Sequence, residues 1–171
     1  QGYTTTYHVK NEGAEPMVFC IGGHAGYCVD GSAEDYKLVF EHPEDLDMYY
    51  TDADSLFSDA YKLAKRIEGD TYDIVYADFD VDAIVLKAPK SHKVKLVKKS
   101  DGTGLTFDYN GFSNLTLWTP PKKRAPFFCL EPWNGLPAYT DESGKFEDKP
   151  GCIRLDAGQE YSVSYSITVL S

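Results

Sequence analysis

A histidine between glycines is the first residue in the sequence that could do chemistry. His24 lies in Ile21-Gly22-Gly23-His24-Ala25-Gly26-Tyr27, directly after an apolar, strand-like run. Glycines on both sides let the backbone bend and leave the imidazole accessible. Because an imidazole titrates near neutral pH, His24 is a candidate general acid or base. The alternative is a histidine that only caps a loop.

An acid at the end of an apolar run is the second candidate. Glu131 follows Phe127–Leu130 and begins the stretch Glu131-Pro132-Trp133-Asn134-Gly135. A carboxylate there is costly to desolvate unless it is paired or used, and burial would raise its pKa toward the range of a general base. Trp133 offers a flat apolar face of the kind on which sugar C–H groups pack. The structural alternative is a buried Glu131 that bridges to Arg154 or to a backbone turn.

A third candidate is an acid that opens an apolar strand. Asp82 directly precedes Ala83-Ile84-Val85-Leu86. A polar group at a strand end can face a cleft and bind a ligand there. An acid in this position is also a common turn residue, so the pattern leaves both interpretations open.

The segments that must position these residues have the pattern of short β-strands. Runs rich in Tyr, Thr, Val, Ile and Phe alternate with polar residues and are interrupted by Gly, Pro, Asn and Asp. This spacing predicts an all-β fold, an antiparallel β-sandwich or barrel, without internal repeats or linkers. The predicted strands are 3–10, 16–21, 36–41, 74–76, 83–87, 92–98, 105–109, 115–118, 127–130, 152–155 and 161–170.

Three other segments have patterns of their own. Residues 55–67 carry apolar residues at helical spacing, which predicts either a helix or a loop with one helical turn. Residues 41–59 hold seven acids and no Lys or Arg, and we interpret them as a solvated insertion rather than a cation site. Residues 87–99 hold six lysines, and their alternation with apolar residues predicts a solvent-facing or edge strand rather than an anion site. The apolar residues at helical spacing are Leu56, Ala60, Leu63, Ala64 and Ile67.

Charge and composition exclude some classes of partner. The 171 residues include 17 Lys and Arg against 27 Asp and Glu, a net charge of −10. Such a field repels nucleic-acid phosphates and anionic lipid heads, and no apolar run approaches the ~18 residues of a membrane span. We therefore expect a soluble protein with neither a nucleic-acid nor a membrane partner.

The four cysteines have no metal-binding spacing. Cys20, Cys28, Cys129 and Cys152 form no CxxC pair and no Cys/His finger pattern. We interpret them as buried, reduced thiols in a cytoplasmic protein. The alternative is a disulfide in a secreted protein, in which Asn114-Leu115-Thr116 would be a glycosylation acceptor.

Taken together, the candidate segments resemble one protein family. They are similar, in the same order, to segments of the aldose 1-epimerase (galactose mutarotase) family, and most of all to its LacX-like branch. The resemblance covers nearly the whole chain from Tyr3, and the stretch from Glu131 to Gly135 is its most specific part. The matching segments are Ile21–His24, Asp82–Leu86, Asn114–Thr119, Phe128–Gly135, Lys149–Leu155 and Tyr165–Ile167.

The resemblance implies a galactose mutarotase-like β-supersandwich that interconverts the α and β anomers of a free aldose, a hexose such as galactose or glucose. At the position of Glu131 the family has the base that takes the proton of the anomeric hydroxyl. The histidine at the position of His24 donates a proton to the ring oxygen. Asp82, Trp133 and Asn134 are the implied sugar contacts, and no metal or organic cofactor is implied.

Family members are considerably longer than this chain. Their N-terminal part supplies an arginine and a further histidine to the same cleft, and neither has a match here. Residues 1–171 therefore resemble the C-terminal portion of an epimerase, with an incomplete sandwich that would pair with the missing N-terminal portion or form a homodimer. The alternatives are a non-catalytic carbohydrate-binding or sensing module, and a truncated half that acts only as a structural partner.

Overall fold

The computed structural model describes residues 1–52 and 54–171, apart from the side chain of residue 64. The regular secondary structure of these residues is almost entirely β-strand, and every pair of named strands is antiparallel, which confirms the predicted fold class. Short 3-10 turns occupy Ala33–Asp35, Tyr76–Phe79 and Phe146–Asp148. The strands are β1 (Gly2–Lys10), β2 (Met17–Phe19), β3 (Ile21–Gly22), β4 (Ala25–Cys28), β5 (Tyr36–Thr51), β6 (Phe57–Asp73), β7 (Ile84–Lys87), β8 (Lys93–Lys98), β9 (Gly104–Asp108), β10 (Asn114–Trp118), β11 (Phe127–Asn134), β12 (Ile153–Leu155) and β13 (Glu160–Leu170).

One large sheet of 11 strands makes up most of the molecule. Its order is β1-β13-β9-β8-β5-β7-β10-β11-β3, with β4 also on β11 and β6 also on β5. The pairing of β1 with β13 runs from Gly2↔Thr168 to Lys10↔Glu160, so the two ends of the chain lie side by side. β2 and β12 form a separate two-stranded sheet.

The large sheet curls over, and its two halves enclose a single core. Tyr27 on β4 and Phe107 on β9 are distant in the sheet order, yet their ring centroids are 6.2 Å apart. The Phe107 ring also lies 5.5 Å from that of Tyr165 on β13. Burial of this aromatic and aliphatic interior is the main force that holds the curled sheet closed.

The helical interpretation of residues 55–67 is wrong. Residues 57–73 are strand β6, which pairs with β5 over most of its length. Ile67 pairs with Leu46 and is 1% exposed. A few apolar residues at helical spacing do not exclude a strand. Here the backbone N–H and C=O groups form their hydrogen bonds with β5 rather than within a helix. The side chain of Ala64 lies outside the described residues.

The acidic segment 41–59 is not a solvated insertion. Its first part continues β5, and Glu44 is 3% exposed. The Glu44 carboxylate accepts hydrogen bonds from the backbone N–H groups of Ser91 (2.7 Å) and Lys90 (3.1 Å). Two backbone donors compensate the desolvation of this carboxylate, so an acid in a charged run can be buried.

Two further strand predictions need correction. β8 lies between β9 and β5, so the lysine-rich strand is not an edge, although Val94 and Leu96 are buried and Lys95 is exposed as its alternation predicts. Residues 74–76 form no strand, and a 3-10 turn begins at Tyr76.

No helix among residues 1–52 and 54–171 is long and apolar enough to cross a membrane.

The cysteines are all free thiols, but only one is buried. Cys129 is buried, Cys28 is exposed, and Cys20 and Cys152 are half-buried. The expectation of four buried thiols is therefore wrong for three of them, because Cys28 points outward from β4 and the other two lie at the end of the small sheet. The side chain of Asn114 is buried and hydrogen-bonded, so it is not an accessible glycosylation acceptor.

Candidate functional site

The site is built where two short strands follow each other along β11. β3 pairs with β11 at Gly22↔Trp133, and β4 pairs with it from Ala25↔Leu130 onward, in the same register. Gly23 and His24, between the two strands, therefore face Pro132 and Glu131. The facing pair Gly23 and Pro132 makes one backbone hydrogen bond, from the Gly23 N–H to the Pro132 carbonyl at 3.1 Å, because proline has no N–H to donate in return. The ladder is interrupted here, and the shared register places His24 directly across from Glu131.

Strand alternation on β11 separates the core from the site. Phe128 and Leu130 are buried in the core, so Cys129, Glu131 and Trp133 point to the opposite face. Glu131 is 2% exposed, and its Oε1 lies 3.3 Å from Nδ1 of His24, whose side chain is 63% exposed. A buried carboxyl and an accessible imidazole thus lie within hydrogen-bonding distance of each other.

Burial gives the Glu131 carboxyl unusual proton chemistry. Desolvation raises its pKa from 4.5 to about 7. The Trp133 side chain opposes this shift by hydrogen bonding, and the negative charge of Asp82 adds to it. A carboxyl with this pKa can accept a proton and return it near neutral pH, which suits a general base. The alternative bridge to Arg154 is absent among the described residues, since Arg154 is exposed and lies 3.7 Å from Asp156.

Trp118 connects the third candidate, Asp82, to this pair. The Trp118 indole N–H donates to Oδ1 of Asp82 at 2.8 Å, and its ring meets the His24 ring edge-on at 5.6 Å. Asp82 has φ +122°, a region that non-glycine residues rarely adopt. Such strain is maintained only where the surroundings determine the conformation, and it is frequent at functional sites.

A cavity of about 370 Å³ opens beside Glu131 and His24, near the lower end of the range for small-molecule sites. It is lined by residues 20–24 on one side and by Glu131 and residues 133–137 on the other. Trp133 forms a wall over Gly22, where a Cβ would lie only 2.6 Å from Cδ1 of the indole. Asp82 does not line this cavity but lies beyond Trp118.

Comparison with known proteins identifies the family. The family model for aldose 1-epimerase matches residues 1–168. The chain belongs to the aldose 1-epimerase family. Protein LacX of Lactococcus lactis subsp. lactis is 33% identical over 173 residues, which cover 98% of this chain and 58% of LacX, and the LacX-like branch is thereby confirmed.

Solved structures agree with this family in fold. A galactose mutarotase related enzyme from Lactobacillus acidophilus superposes with a TM-score of 0.86 at 21% identity, over 99% of this chain and 58% of that one. A galactose mutarotase-like protein from Lactobacillus casei gives a TM-score of 0.87 at 24% identity, over 98% and 58%. The chain therefore spans about 58% of the length of these relatives.

Within this aldose 1-epimerase family member, the amide of Asn134 is engaged by the protein. Its Oδ1 accepts from the backbone N–H of Ser113 at 2.9 Å, and its Nδ2 donates to the Gly111 carbonyl (2.9 Å) and the Tyr161 hydroxyl (3.0 Å). These bonds hold the end of β11 against the neighbouring turn and β13. A sugar contact by Asn134 stays a prediction, and it would require the exchange of one of these bonds.

Three residues at the site were not singled out as functional by sequence. Trp118 lies between His24 and Asp82. Thr116 is the register partner of Glu131 on β10, and its buried Oγ1 has no hydrogen-bond partner among the described residues. Cys129 precedes Glu131 by two residues and shares its face, where burial raises the thiol pKa to about 12. Alternation along β11 and β10 is the signal that could have found them.

One group of side chains at the site has the donor types of a metal site. Ligand atoms of His24, Cys129 and Glu131 lie within 4.8 Å of one another, and an imidazole, a thiolate and a carboxylate together would suit Zn²⁺. Metal binding needs the deprotonated thiol and carboxyl. Burial raises the pKa of both Cys129 and Glu131, so a metal ion would have to displace a proton from the thiol and, below about pH 7, from the carboxyl.

Proposed function

We propose that this protein is an aldose 1-epimerase, which interconverts the α and β anomers of a free aldose such as galactose or glucose. The observation that carries the proposal is the Glu131 carboxyl, buried, with a pKa of about 7, and 3.3 Å from His24 at the edge of a cavity. Family membership and the sugar-related names of the fold neighbours support the same reaction.

The proposed reaction needs two proton transfers in opposite directions. Glu131 takes the proton of the anomeric hydroxyl, the C1–O1 bond becomes a carbonyl, and the C1–O5 bond breaks. Protonated His24 gives its proton to O5, which leaves the open-chain aldehyde. Rotation about C1–C2 and closure with the roles reversed deliver either anomer and return both protons. The two side chains exchange only protons with the sugar, and no hydride or other group leaves it, so the proposal includes no metal or organic cofactor.

The remaining candidates supply binding rather than proton transfer. We assign Trp133 to stacking against the sugar ring, because its indole forms a wall of the cavity. Asp82 does not line the cavity, but its carboxylate retains acceptor capacity beside the Trp118 N–H, and we assign it to a hydrogen bond from a sugar hydroxyl that extends past Trp118. Asn134 would act mainly by holding β11 in place.

The complete cleft requires more than these residues. The chain spans about 58% of the length of its relatives, and the family resemblance implies an arginine and a histidine from an N-terminal portion. Partnership with that portion, or with a second copy, belongs to this proposal, as does a cytoplasmic location.

Exchange between anomers in fresh sugar solutions tests the proposal. The whole protein should accelerate equilibration of α-galactose or α-glucose, followed by polarimetry or by NMR of the anomeric proton. The rate should fall below pH 7 as Glu131 is protonated.

Glu131→Gln and His24→Asn should each lower kcat by about 10²-fold or more. Glu44→Gln, which alters a buried acid outside the cleft, is the matched control. Full rates in both site variants would overturn the assigned roles.

A binding module without turnover is the second candidate, because two indoles, Trp118 and Trp133, flank the His24–Glu131 pair. Saturable binding of sugar by the whole protein, with no acceleration of anomer exchange at any pH from 5 to 9, would favour this candidate over the epimerase.

A further inference from the structure

Two cysteines meet beside the cavity and take no part in the proposed reaction. The sulfur atoms of Cys20 and Cys152 lie 3.0 Å apart, although the residues are far apart in sequence. Cys20 directly follows β2 and Cys152 directly precedes β12. The last pair of that small sheet is Phe19↔Ile153, so the two cysteines occupy the next facing positions of the same antiparallel register.

This register is suitable for a disulfide. Facing residues of antiparallel strands have Cα atoms about 4.5–5.5 Å apart, which lies inside the range of about 4.4–6.8 Å that a disulfide spans. The structure already brings the two sulfur atoms into contact. Closing the bond therefore requires side-chain adjustment and little movement of the backbone.

The surroundings of the pair leave no space for larger groups. A Cβ on Gly135 would overlap the Cys20 sulfur, and a Cβ on Gly151 would lie 3.1 Å from the Gly135 backbone. Gly135 follows β11, and Cys20 itself lines the cavity. The thiol pair thus packs directly against the backbone that carries Leu136 and Pro137 into the cavity wall.

We propose that Cys20 and Cys152 are a site of reversible oxidation, at which hydrogen peroxide converts the two thiols into an intrachain disulfide at the rim of the cavity. The peroxide oxidises one thiol to a sulfenic acid, as its O–O bond breaks and one water leaves. The second thiol then attacks the sulfenic sulfur, so that the S–S bond forms, the S–O bond breaks, and the hydroxyl leaves with the thiol proton as a second water.

The environment of Cys20 slows this reaction. Burial, followed by its hydrogen bond with Cys152, raises the pKa of Cys20 to about 12, and the Lys149 charge only partly opposes this shift. A buried thiol with a raised pKa is a poor nucleophile near neutral pH. The 3.0 Å contact between the two sulfur atoms favours closure of the bond once either thiol is oxidised.

Mass spectrometry of the whole protein tests this site without reference to catalysis. Treatment with a small excess of hydrogen peroxide should remove about 2 Da from this chain and yield one peptide pair linked through Cys20 and Cys152, and alkylation after denaturation should modify Cys28 and Cys129 alone. Dithiothreitol should restore four alkylatable thiols. Cys28→Ser, which changes the exposed thiol of β4, is the matched control and should behave as the unaltered protein does.

A second readout covers the case in which a cysteine variant folds poorly. Oxidation should raise the Tm of the unaltered protein by about 5 °C or more, since the bond closes a long loop. Cys20→Ser and Cys152→Ser should each abolish the 2-Da loss and the Tm rise. Four alkylatable thiols after peroxide, a link through Cys28 or Cys129, or oxidation that stops at sulfinic acid would each overturn the site.

Discussion

Burial raises the pKa of the Glu131 carboxyl and at the same time makes its charged form costly for the folded protein. Its pKa rises from 4.5 to about 7 on folding, so between these pH values the folded state binds more protons than the unfolded state. The free energy of unfolding should therefore fall as pH rises through this window, and the full penalty is present above pH 7. A shift of this size corresponds to a penalty on the order of 3 kcal/mol.

Glu131→Gln should therefore stabilise the protein at alkaline pH. We expect the variant to exceed the unaltered protein in free energy of unfolding by roughly 1–3 kcal/mol at pH 8, with the difference shrinking toward pH 5. Urea denaturation at the two pH values measures it. Glu44→Gln is the control, and it should lose stability, because the Glu44 carboxylate accepts two backbone hydrogen bonds. An equal effect of Glu131→Gln at both pH values would contradict the assigned burial penalty.

At the scale of elements, the two short strands β3 and β4, which pair one after the other with β11, bring His24 and Glu131 together. β3 and β4 share one register with β11, so His24 reaches the position across from Glu131 without a long loop. The close packing of β3 against β11 requires glycine at residue 22, which has no side chain to collide with β11. A Cβ at Gly22 would lie 2.6 Å from the Trp133 ring and 2.9 Å from the Pro132 carbonyl oxygen.

Gly22→Ala should destabilise the site and the fold together. The added methyl group must displace the Trp133 indole or the β11 backbone, at an expected cost of about 1–3 kcal/mol. Gly26→Ala is the matched control in the same ladder, because its Cβ would meet only side-chain atoms, at 3.3 Å or more. Chemical denaturation, together with Trp fluorescence, measures both changes. A Gly22 variant as stable as the Gly26 variant, with an unchanged emission spectrum, would contradict this packing.

At the scale of the whole molecule, the curled sheet leaves large apolar side chains exposed. Tyr3 on β1 and Val169 on β13 remain 49% and 54% exposed at one side of this sheet. Large apolar side chains that remain exposed on a sheet are candidates for cover by another segment or chain. The chain spans 58% of the length of LacX, and the N-terminal portion included in the proposed function is one segment that would cover these side chains.

Residues 1–171 alone should therefore be a poor epimerase. We expect the isolated chain to accelerate anomer exchange at least about 10²-fold less than a protein of full family length, since binding groups in the cleft contribute to catalysis by orientation. NMR of anomeric exchange measures the rates, and circular dichroism verifies β structure in both samples. Equal rates per folded molecule would show that these residues form a complete site.

Much of the site could be predicted because its chemistry lies in short local patterns. Glu131 after an apolar strand and His24 between glycines are recognisable from a few residues each, and strand alternation is a local property. Residues 55–67 and 41–59 could not be predicted in the same way. Their state depends on pairing between β5 and β6, and for Glu44 on backbone donors of residues 90 and 91.

The sequence by itself determined the all-β class, the family, and the two residues proposed as acid and base, because each depends on residue type and near neighbours. Only the tertiary structure decided that His24 lies 3.3 Å from Glu131, that Trp118 holds Asp82, and that Cys20 meets Cys152. These contacts join distant segments, and they depend on strand register and on the curl of the sheet. Register follows from the packing of the whole core, which no local pattern contains.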